Sequence, residues 1–189
     1  MTFSLILLFD NSLINDIKEK TALYRKNIEN GVLPNVDNLN IFPLISLINE
    51  LSKSKIKLNV IDFGGGDGGH YLLIRQLLSK EISLNWQVVE TSEMSKAMQA
   101  FATDELSYSD NLTETLEKTP EIDILYTSGT LQYTPNPYDF LEKMTNSNAE
   151  YLVFNRQSLN ANDGDLITIQ RSLLSWHGSS DLSTKFTEN

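Results

Sequence analysis

The chain has 189 residues, of which 40% are hydrophobic and 21% are charged, as in ordinary globular proteins. Its formal net charge of −10 argues against non-specific binding to nucleic acid or anionic lipid, because the summed field repels phosphate groups. The absence of cysteine excludes disulfides, thiolate metal sites and cysteine nucleophiles, and it is compatible with the cytoplasmic location that we expect.

The N-terminal part of the chain predicts a helical flank. An apolar run over residues 2–9 is far shorter than the roughly 18–20 residues that cross a bilayer, so no membrane span is expected. Apolar residues at helical spacing predict helices over 12–29 and 41–51, and Pro43 suits the first turn of the second helix. Residues 34–40 form a predicted loop between these helices.

From residue 57 onwards, short apolar runs alternate with helical patterns. The predicted strands are 57–63, 86–90, 106–109, 122–127 and 151–155, and the predicted helices are 70–79, 92–101 (with Ser92 as its cap) and 138–144. Strands that alternate with helices at this spacing form a mostly parallel sheet with helices on both faces. The sequence therefore predicts an α/β fold of the Rossmann-like, doubly wound type.

A glycine-rich turn joins the first predicted strand to its helix. Gly64, Gly66 and Gly69 satisfy G-x-G-x-x-G, the pattern of dinucleotide-binding proteins. Gly64, Gly66 and Gly68 satisfy G-x-G-x-G equally well. Glycines allow a sharp turn and a close approach of the backbone to a ligand at the carboxyl edge of the sheet. The glycines alone therefore do not decide between the two classes of nucleotide site.

Acidic residues beside the glycines help to separate these classes. Asp62 lies near the end of the first strand, and Asp67 lies inside the turn. Negative charge at these positions suits a sulfonium-bearing amino acid and would repel a pyrophosphate. Glu90 ends the second predicted strand, where a carboxylate can bind both hydroxyls of a ribose. The acids favour an S-adenosylmethionine site over a nicotinamide site. A third interpretation is that the glycine turn serves packing alone and binds no ligand.

Several segments resemble one protein family. They are Asp62-Phe63-Gly64-Gly65-Gly66 with Gly68-Gly69-His70-Tyr71, Trp86-Gln87-Val88-Val89-Glu90, Ser128-Gly129-Thr130-Leu131-Gln132-Tyr133 with Pro137, and Asn155-Arg156 with Thr168 and Gln170. Over roughly residues 57–170 they resemble class I S-adenosylmethionine-dependent methyltransferases that are commonly encoded among genes for surface-polysaccharide biosynthesis. The resemblance implies a seven-stranded sheet whose last two strands form an antiparallel hairpin.

The resemblance also implies roles for individual residues. Those implied to bind S-adenosylmethionine are Asp62, Gly64, Gly65, Gly66, Gly68, Glu90, Asp110 and Ser128. Asp62 and the glycines would hold the methionine part, and Glu90 would bind the ribose. Asp110 would contact the adenine amino group, and Ser128 would face the methyl donor. The resemblance does not supply the acceptor, and the expected one is a small molecule or a glycan-linked substrate.

Two residues are candidates for catalysis. His70 follows the glycine turn directly, and a histidine pKa near neutrality suits a general base. Tyr133 follows the fourth strand, where a tyrosine can align an acceptor hydroxyl or form an aromatic wall. Packing is the alternative role for both. Arg156 suits either an anionic acceptor or a structural salt bridge, and no cluster of His, Asp and Glu has the spacing of metal ligands.

These patterns divide the chain into a helical flank or lid over 1–55, an S-adenosylmethionine-binding α/β domain over 56–170 and a divergent tail over 171–189. The strand pattern is lost after Gln170, so a sheet that is incomplete at its C-terminal end is an alternative to a complete one. The leading hypothesis is a methyltransferase. The alternatives are an oxidoreductase that binds a nicotinamide or a nucleotide-sugar, and a binding protein that keeps the fold without catalysis.

Overall fold

The computed structural model describes residues 11–32 and 39–157. The apolar run at 2–9 and most of the predicted loop at 34–40 lie outside these residues. So does everything after 157, including the implied antiparallel hairpin and the predicted tail. The division of the chain into three parts therefore stays a prediction.

Five parallel strands form the sheet within the described part of the chain. They are β1 (Lys57–Phe63), β2 (Ser83–Val89), β3 (Leu106–Ser109), β4 (Ile122–Ser128) and β5 (Ala149–Asn155), and their spatial order is β3-β2-β1-β4-β5. The order reverses at β1, so the carboxyl ends of β1 and its neighbours β2 and β4 meet at the centre of one edge. Ligands of open α/β sheets bind at this kind of reversal.

Helices cover the sheet and precede it. They are α1 (Asn11–Glu29), α2 (Phe42–Leu51), α3 (Gly69–Leu77), α4 (Ser92–Met98), α5 (Leu112–Lys118) and α6 (Pro137–Thr145), with short 3₁₀ helices at Leu39–Ile41, Gln99–Phe101 and Leu131–Tyr133. The predicted α/β, Rossmann-like fold with N-terminal helices is confirmed. Pro43 lies in the first turn of α2, as predicted.

Three local features differ from the sequence-based expectations. Strand β2 begins at Ser83, before the predicted start, because the buried Leu84 extends the alternation of buried and exposed residues. Helix α5 was not predicted, since it buries few apolar residues; it begins at a cap in which the Asn111 side chain accepts a hydrogen bond from the backbone of Glu114 at 3.2 Å. The predicted cap role of Ser92 is wrong, because the helix already includes this residue.

Two hydrophobic clusters fill the two faces of the sheet. The larger cluster includes Trp86 and Tyr126 and is covered in part by α2, whose Leu44 and Ile48 are fully buried. Apolar residues of α1 pack against the same cluster. The smaller cluster, on the side of α5 and α6, includes Phe63. Because both faces of the sheet are covered, β1 and β4 are buried at nearly every position.

Candidate active site

The turn between β1 and α3 owes its shape to three glycines in a left-handed conformation. Gly64, Gly66 and Gly68 have φ angles of 76°, 60° and 83°, which residues with a β-carbon rarely adopt. A β-carbon at Gly64 would also lie 2.0 Å from the Thr130 hydroxyl oxygen. At Gly66, by contrast, a β-carbon would meet no atom of the described residues within 4 Å. The turn is therefore packed at Gly64 against the loop that follows β4, and it is open at Gly66 in the described part of the chain.

A buried carboxylate lies beneath this turn. Asp62 is 0% exposed, and its Oδ2 lies 2.9 Å from Nδ1 of His70 and 3.3 Å from Nε1 of Trp86. Its other oxygen, Oδ1, is buried and has no hydrogen-bond partner among the described residues. Buried polar atoms in folded proteins nearly always have a partner, because leaving one unmet is costly. Asp62 Oδ1 is therefore an acceptor available to a ligand or a water.

His70, a predicted site residue, is held by this carboxylate. Its side chain is 28% exposed, and its ring packs edge-on against Tyr126 with centroids 5.1 Å apart. Burial lowers the pKa of His70, but attraction and hydrogen bonding from Asp62, with a contribution from Asp67, outweigh burial and raise the pKa above 6.5. No described residue bonds Nε2, so the nitrogen that is not bonded to Asp62 is available for chemistry.

Glu90 closes the turn from the end of β2. Its Oε1 accepts a hydrogen bond from the backbone N–H of Gly66 at 3.2 Å, and its Oε2 accepts one from the N–H of Thr91 at 2.9 Å. Burial raises the pKa of Glu90, the two backbone hydrogen bonds oppose this, and the charge of Asp62 raises it further. The two predicted acids thus flank one turn and influence each other.

The backbone donors of the turn are largely occupied within the protein. The N–H of Gly64 bonds the carbonyl of Val89 at 2.8 Å, and that of Gly68 bonds the carbonyl of Gly65 at 3.1 Å. The N–H of Gly69, the first residue of α3, bonds the Asp67 carboxylate at 3.0 Å. A carboxylate of the protein itself therefore occupies the position at the helix N-terminus where nucleotide phosphates commonly bind.

Helix α1 contacts the same turn, which the sequence did not predict. Thr21 is fully buried, and its hydroxyl lies 2.9 Å from Asp67 Oδ2 and 2.8 Å from the carbonyl of Ile17. Tyr108 of β3 donates to the Asp67 carbonyl at 2.8 Å, and burial is the largest of several effects that raise its pKa to about 12. Two elements distant in sequence thus fix Asp67, and no local pattern signals either contact.

The remaining predicted site residues lie at the ends of β3 and β4. Asp110 directly follows β3, is exposed and borders a cleft along the outer edge of that strand. It is brought near Glu90 by the hydrogen bond from the Glu90 N–H to the Ser109 carbonyl at 2.9 Å. Ser128 is the half-buried last residue of β4, and Tyr133 is 50% exposed at the end of a 3₁₀ helix.

The described part of the chain contains neither a candidate metal site nor a candidate membrane span. Among residues 11–32 and 39–157, no group of three or more His, Asp or Glu side chains could hold a metal ion. Within the same ranges, no helix is both long enough and apolar enough to cross a membrane.

Comparisons with known proteins return structural likenesses alone. No protein-family model and no curated protein matches the sequence. The solved structures that it resembles include the YcgJ protein of Bacillus subtilis (16% identity, TM-score 0.40, covering 52% of this chain and 43% of that one). A candidate caffeoyl-CoA O-methyltransferase of Staphylococcus aureus gives 17% identity and a TM-score of 0.40, covering 71% of this chain and 65% of that one.

A third likeness is to the plantazolicin methyltransferase BpumL, solved with a substrate analogue and S-adenosylhomocysteine. It has 17% identity and a TM-score of 0.39, and it covers 74% of this chain and 56% of that one. In all three cases the chain spans less than two thirds of the other protein's length. Likenesses this weak say nothing about activity.

Proposed function

We propose that this chain is an S-adenosylmethionine-dependent methyltransferase that acts on a small or sugar-linked acceptor. The observation that carries the proposal is the open glycine turn flanked by two acids, with Asp62 Oδ1 buried and without a partner in the described part of the chain. The resemblance of the sequence to class I methyltransferases points to the same cofactor.

The donor groups of the turn fit the chemistry of this cofactor. Its methionine part carries a cationic ammonium group, and Asp62 Oδ1 can accept a hydrogen bond from this group directly or through a water. Gly66 leaves room for a close approach to the backbone. Each oxygen of Glu90 accepts one backbone hydrogen bond, so each keeps a lone pair for a ribose hydroxyl.

The same geometry disfavours a nicotinamide dinucleotide. Its diphosphate needs free N–H groups at the turn, whereas those of Gly64, Gly66, Gly68 and Gly69 already bond acceptors within the protein. Asp67 would also repel a diphosphate at the start of α3. The sequence after β4 contains no Tyr-x-x-x-Lys pair of the kind that serves many such oxidoreductases.

His70 is the proposed general base. The bound cofactor supplies the electrophilic methyl group, and a hydroxyl acceptor must lose a proton when it is methylated. His70 Nε2 would take this proton, while the Asp62 carboxylate on Nδ1 orients the ring and stabilises the imidazolium. Tyr133 would align the acceptor or form one wall of its site.

Other proposed contacts follow the resemblance. Asp110 would contact the adenine amino group, since it lies at the strand end next to Glu90. Ser128 would face the methyl donor, because β4 lies beside β1 and its carboxyl end lies next to the turn.

Calorimetry with S-adenosylhomocysteine tests the proposal. The full chain should bind this ligand with a dissociation constant in the micromolar range, and NAD should give no heat under the same conditions. Binding of NAD without binding of S-adenosylhomocysteine would favour the oxidoreductase instead. The absence of heat with S-adenosylhomocysteine at millimolar concentration would overturn the proposal.

A further inference from the structure

Arg156, the first residue after β5, has an unusual backbone conformation. Its φ angle is 54°, and it is the only non-glycine residue of the described chain with a positive φ. Two hydrogen bonds to Asn155 hold this bend. The backbone N–H of Arg156 donates to the side-chain oxygen of Asn155 at 2.9 Å, and the backbone N–H of Gly129 donates to the backbone carbonyl of Asn155 at 2.9 Å. Strained conformations of this kind are concentrated at functional sites.

The bend lays the arginine side chain across the end of β4. A β-carbon at Gly129 would lie 3.6 Å from Cβ of Arg156 and 3.8 Å from Cζ of its guanidinium. Gly129 follows Ser128 directly, and β4 is the neighbour of β1 in the sheet. The positive charge of Arg156 also lowers the pKa of His70, so the two groups lie within electrostatic reach of each other.

The guanidinium of Arg156 has no acidic partner in the described part of the chain. Two other cations do pair, since Arg75 bonds Glu105, and Lys55 bonds both Asp123 and Glu150. The structural salt bridge that the sequence allowed for Arg156 is thus not made with any described residue. The Asp62 carboxylate is already hydrogen-bonded to Nδ1 of His70.

We propose that Arg156 binds an anionic group, a carboxylate or a phosphate, on the methyl acceptor. The inference rests on the proposed methyltransferase function and adds the acceptor's chemical class. A guanidinium binds either group through paired hydrogen bonds. Because the protein carries a net charge of −10, an anionic acceptor needs a local cation at the site to offset the general repulsion.

The test uses the full chain saturated with S-adenosylhomocysteine. Side-chain Nε–H signals in ¹H–¹⁵N spectra are followed during titration with glucuronate, glucose 6-phosphate and glucose, and Arg156→Lys identifies the Arg156 signal. At least one of the two anions should shift this signal and bind about tenfold more tightly than glucose. Binding of glucuronate alone would indicate a carboxylate acceptor, and binding of glucose 6-phosphate alone would indicate a phosphate.

Variants separate this inference from a general effect of charge. Arg156→Gln should remove the preference for anions, and Arg156→Gly should do the same while relieving the positive φ, which protects the fold. Both should bind S-adenosylhomocysteine within about twofold of the wild type. The control is Lys53→Gln, which removes an exposed charge from the segment before β1, at the amino end of that strand. It should leave the preference for anions intact.

The two hypotheses fail in different ways. If the wild type binds S-adenosylhomocysteine but treats the anions and glucose alike, or if the Arg156 variants keep the preference, the inference about the acceptor is overturned alone. If S-adenosylhomocysteine does not bind at all, the proposed function fails, and the assignment of an acceptor fails with it.

Discussion

The Asp62 carboxylate lies directly against the backbone of Gly65. A β-carbon at Gly65 would come within 2.5 Å of Asp62 Oδ2 and 2.6 Å of its Cγ, far closer than such atoms approach. The φ angle of Gly65 is not positive, unlike those of its neighbours Gly64 and Gly66. Glycine is therefore required at position 65 by the carboxylate beneath it and not by the backbone conformation.

Gly65→Ala should displace Asp62 and weaken the binding of S-adenosylhomocysteine by about tenfold or more. The new methyl group would occupy the space of Oδ2, which also bonds His70. Calorimetry measures the change. The control is Gly31→Ala. Gly31 has a positive φ of 77°, and no atom of the described residues lies within 4 Å of the added β-carbon, so this variant should lower stability without changing affinity. Wild-type affinity in Gly65→Ala would show that the position of Asp62 does not matter for binding.

The raised pKa of His70 should make stability depend on pH. A group whose pKa is higher in the folded protein than in the unfolded chain stabilises the fold fully below its unfolded value of 6.5, and this contribution is lost as pH rises through the folded pKa. The wild type should therefore exceed His70→Gln in unfolding free energy by more at about pH 6 than at about pH 9. Urea denaturation at both pH values measures this difference.

Asp62→Asn provides a direct check on the cause. Without the carboxylate, burial should dominate, and the pKa of His70 measured by NMR titration should fall below its wild-type value. An unchanged His70 pKa in Asp62→Asn would contradict the assigned role of this pair.

The fold could be predicted from the sequence because its signals are local. Short, mostly apolar runs indicated the buried parallel strands, and this pattern alone located Asp62 and Glu90 at the ends of neighbouring strands. Parallel strands direct such ends to one edge of the sheet. Helix α5 was missed because Leu112 and Thr115 are its only buried residues, which is too weak a pattern to recognise.

The internal connections of the site could not be predicted, because they join distant parts of the chain. Trp86 is fully buried in the core, and its Nε1 also lies 3.3 Å from Asp62 Oδ2. The pairing of His70 with Asp62 depends on side-chain orientation, which a sequence pattern does not specify. Thr21 is separated from its partner Asp67 by 46 positions and follows no motif.

Glu90→Ala should weaken the binding of S-adenosylhomocysteine by about 1–3 kcal/mol, the usual cost of losing hydrogen bonds to a charged group. It would also leave the N–H groups of Gly66 and Thr91 without their present acceptor, so the turn itself should loosen. Calorimetry compares this variant with Glu93→Ala, which removes a charge of the same sign from the first turn of α4. Equal losses in both variants would indicate a general charge effect instead of a contact with the ligand.

Thr21→Val should detach α1 from the glycine turn. The change keeps the shape of the side chain but removes the hydroxyl shared between Asp67 and the Ile17 carbonyl, at a cost of about 1–3 kcal/mol for a buried polar contact. Urea denaturation measures the loss, and hydrogen exchange should show faster opening of α1 than of β1. Thr21→Ser keeps the hydroxyl and should lose less stability. If valine is tolerated as well as serine, α1 is held by its apolar contacts, such as those of Tyr24, and the hydrogen bond to the turn contributes little.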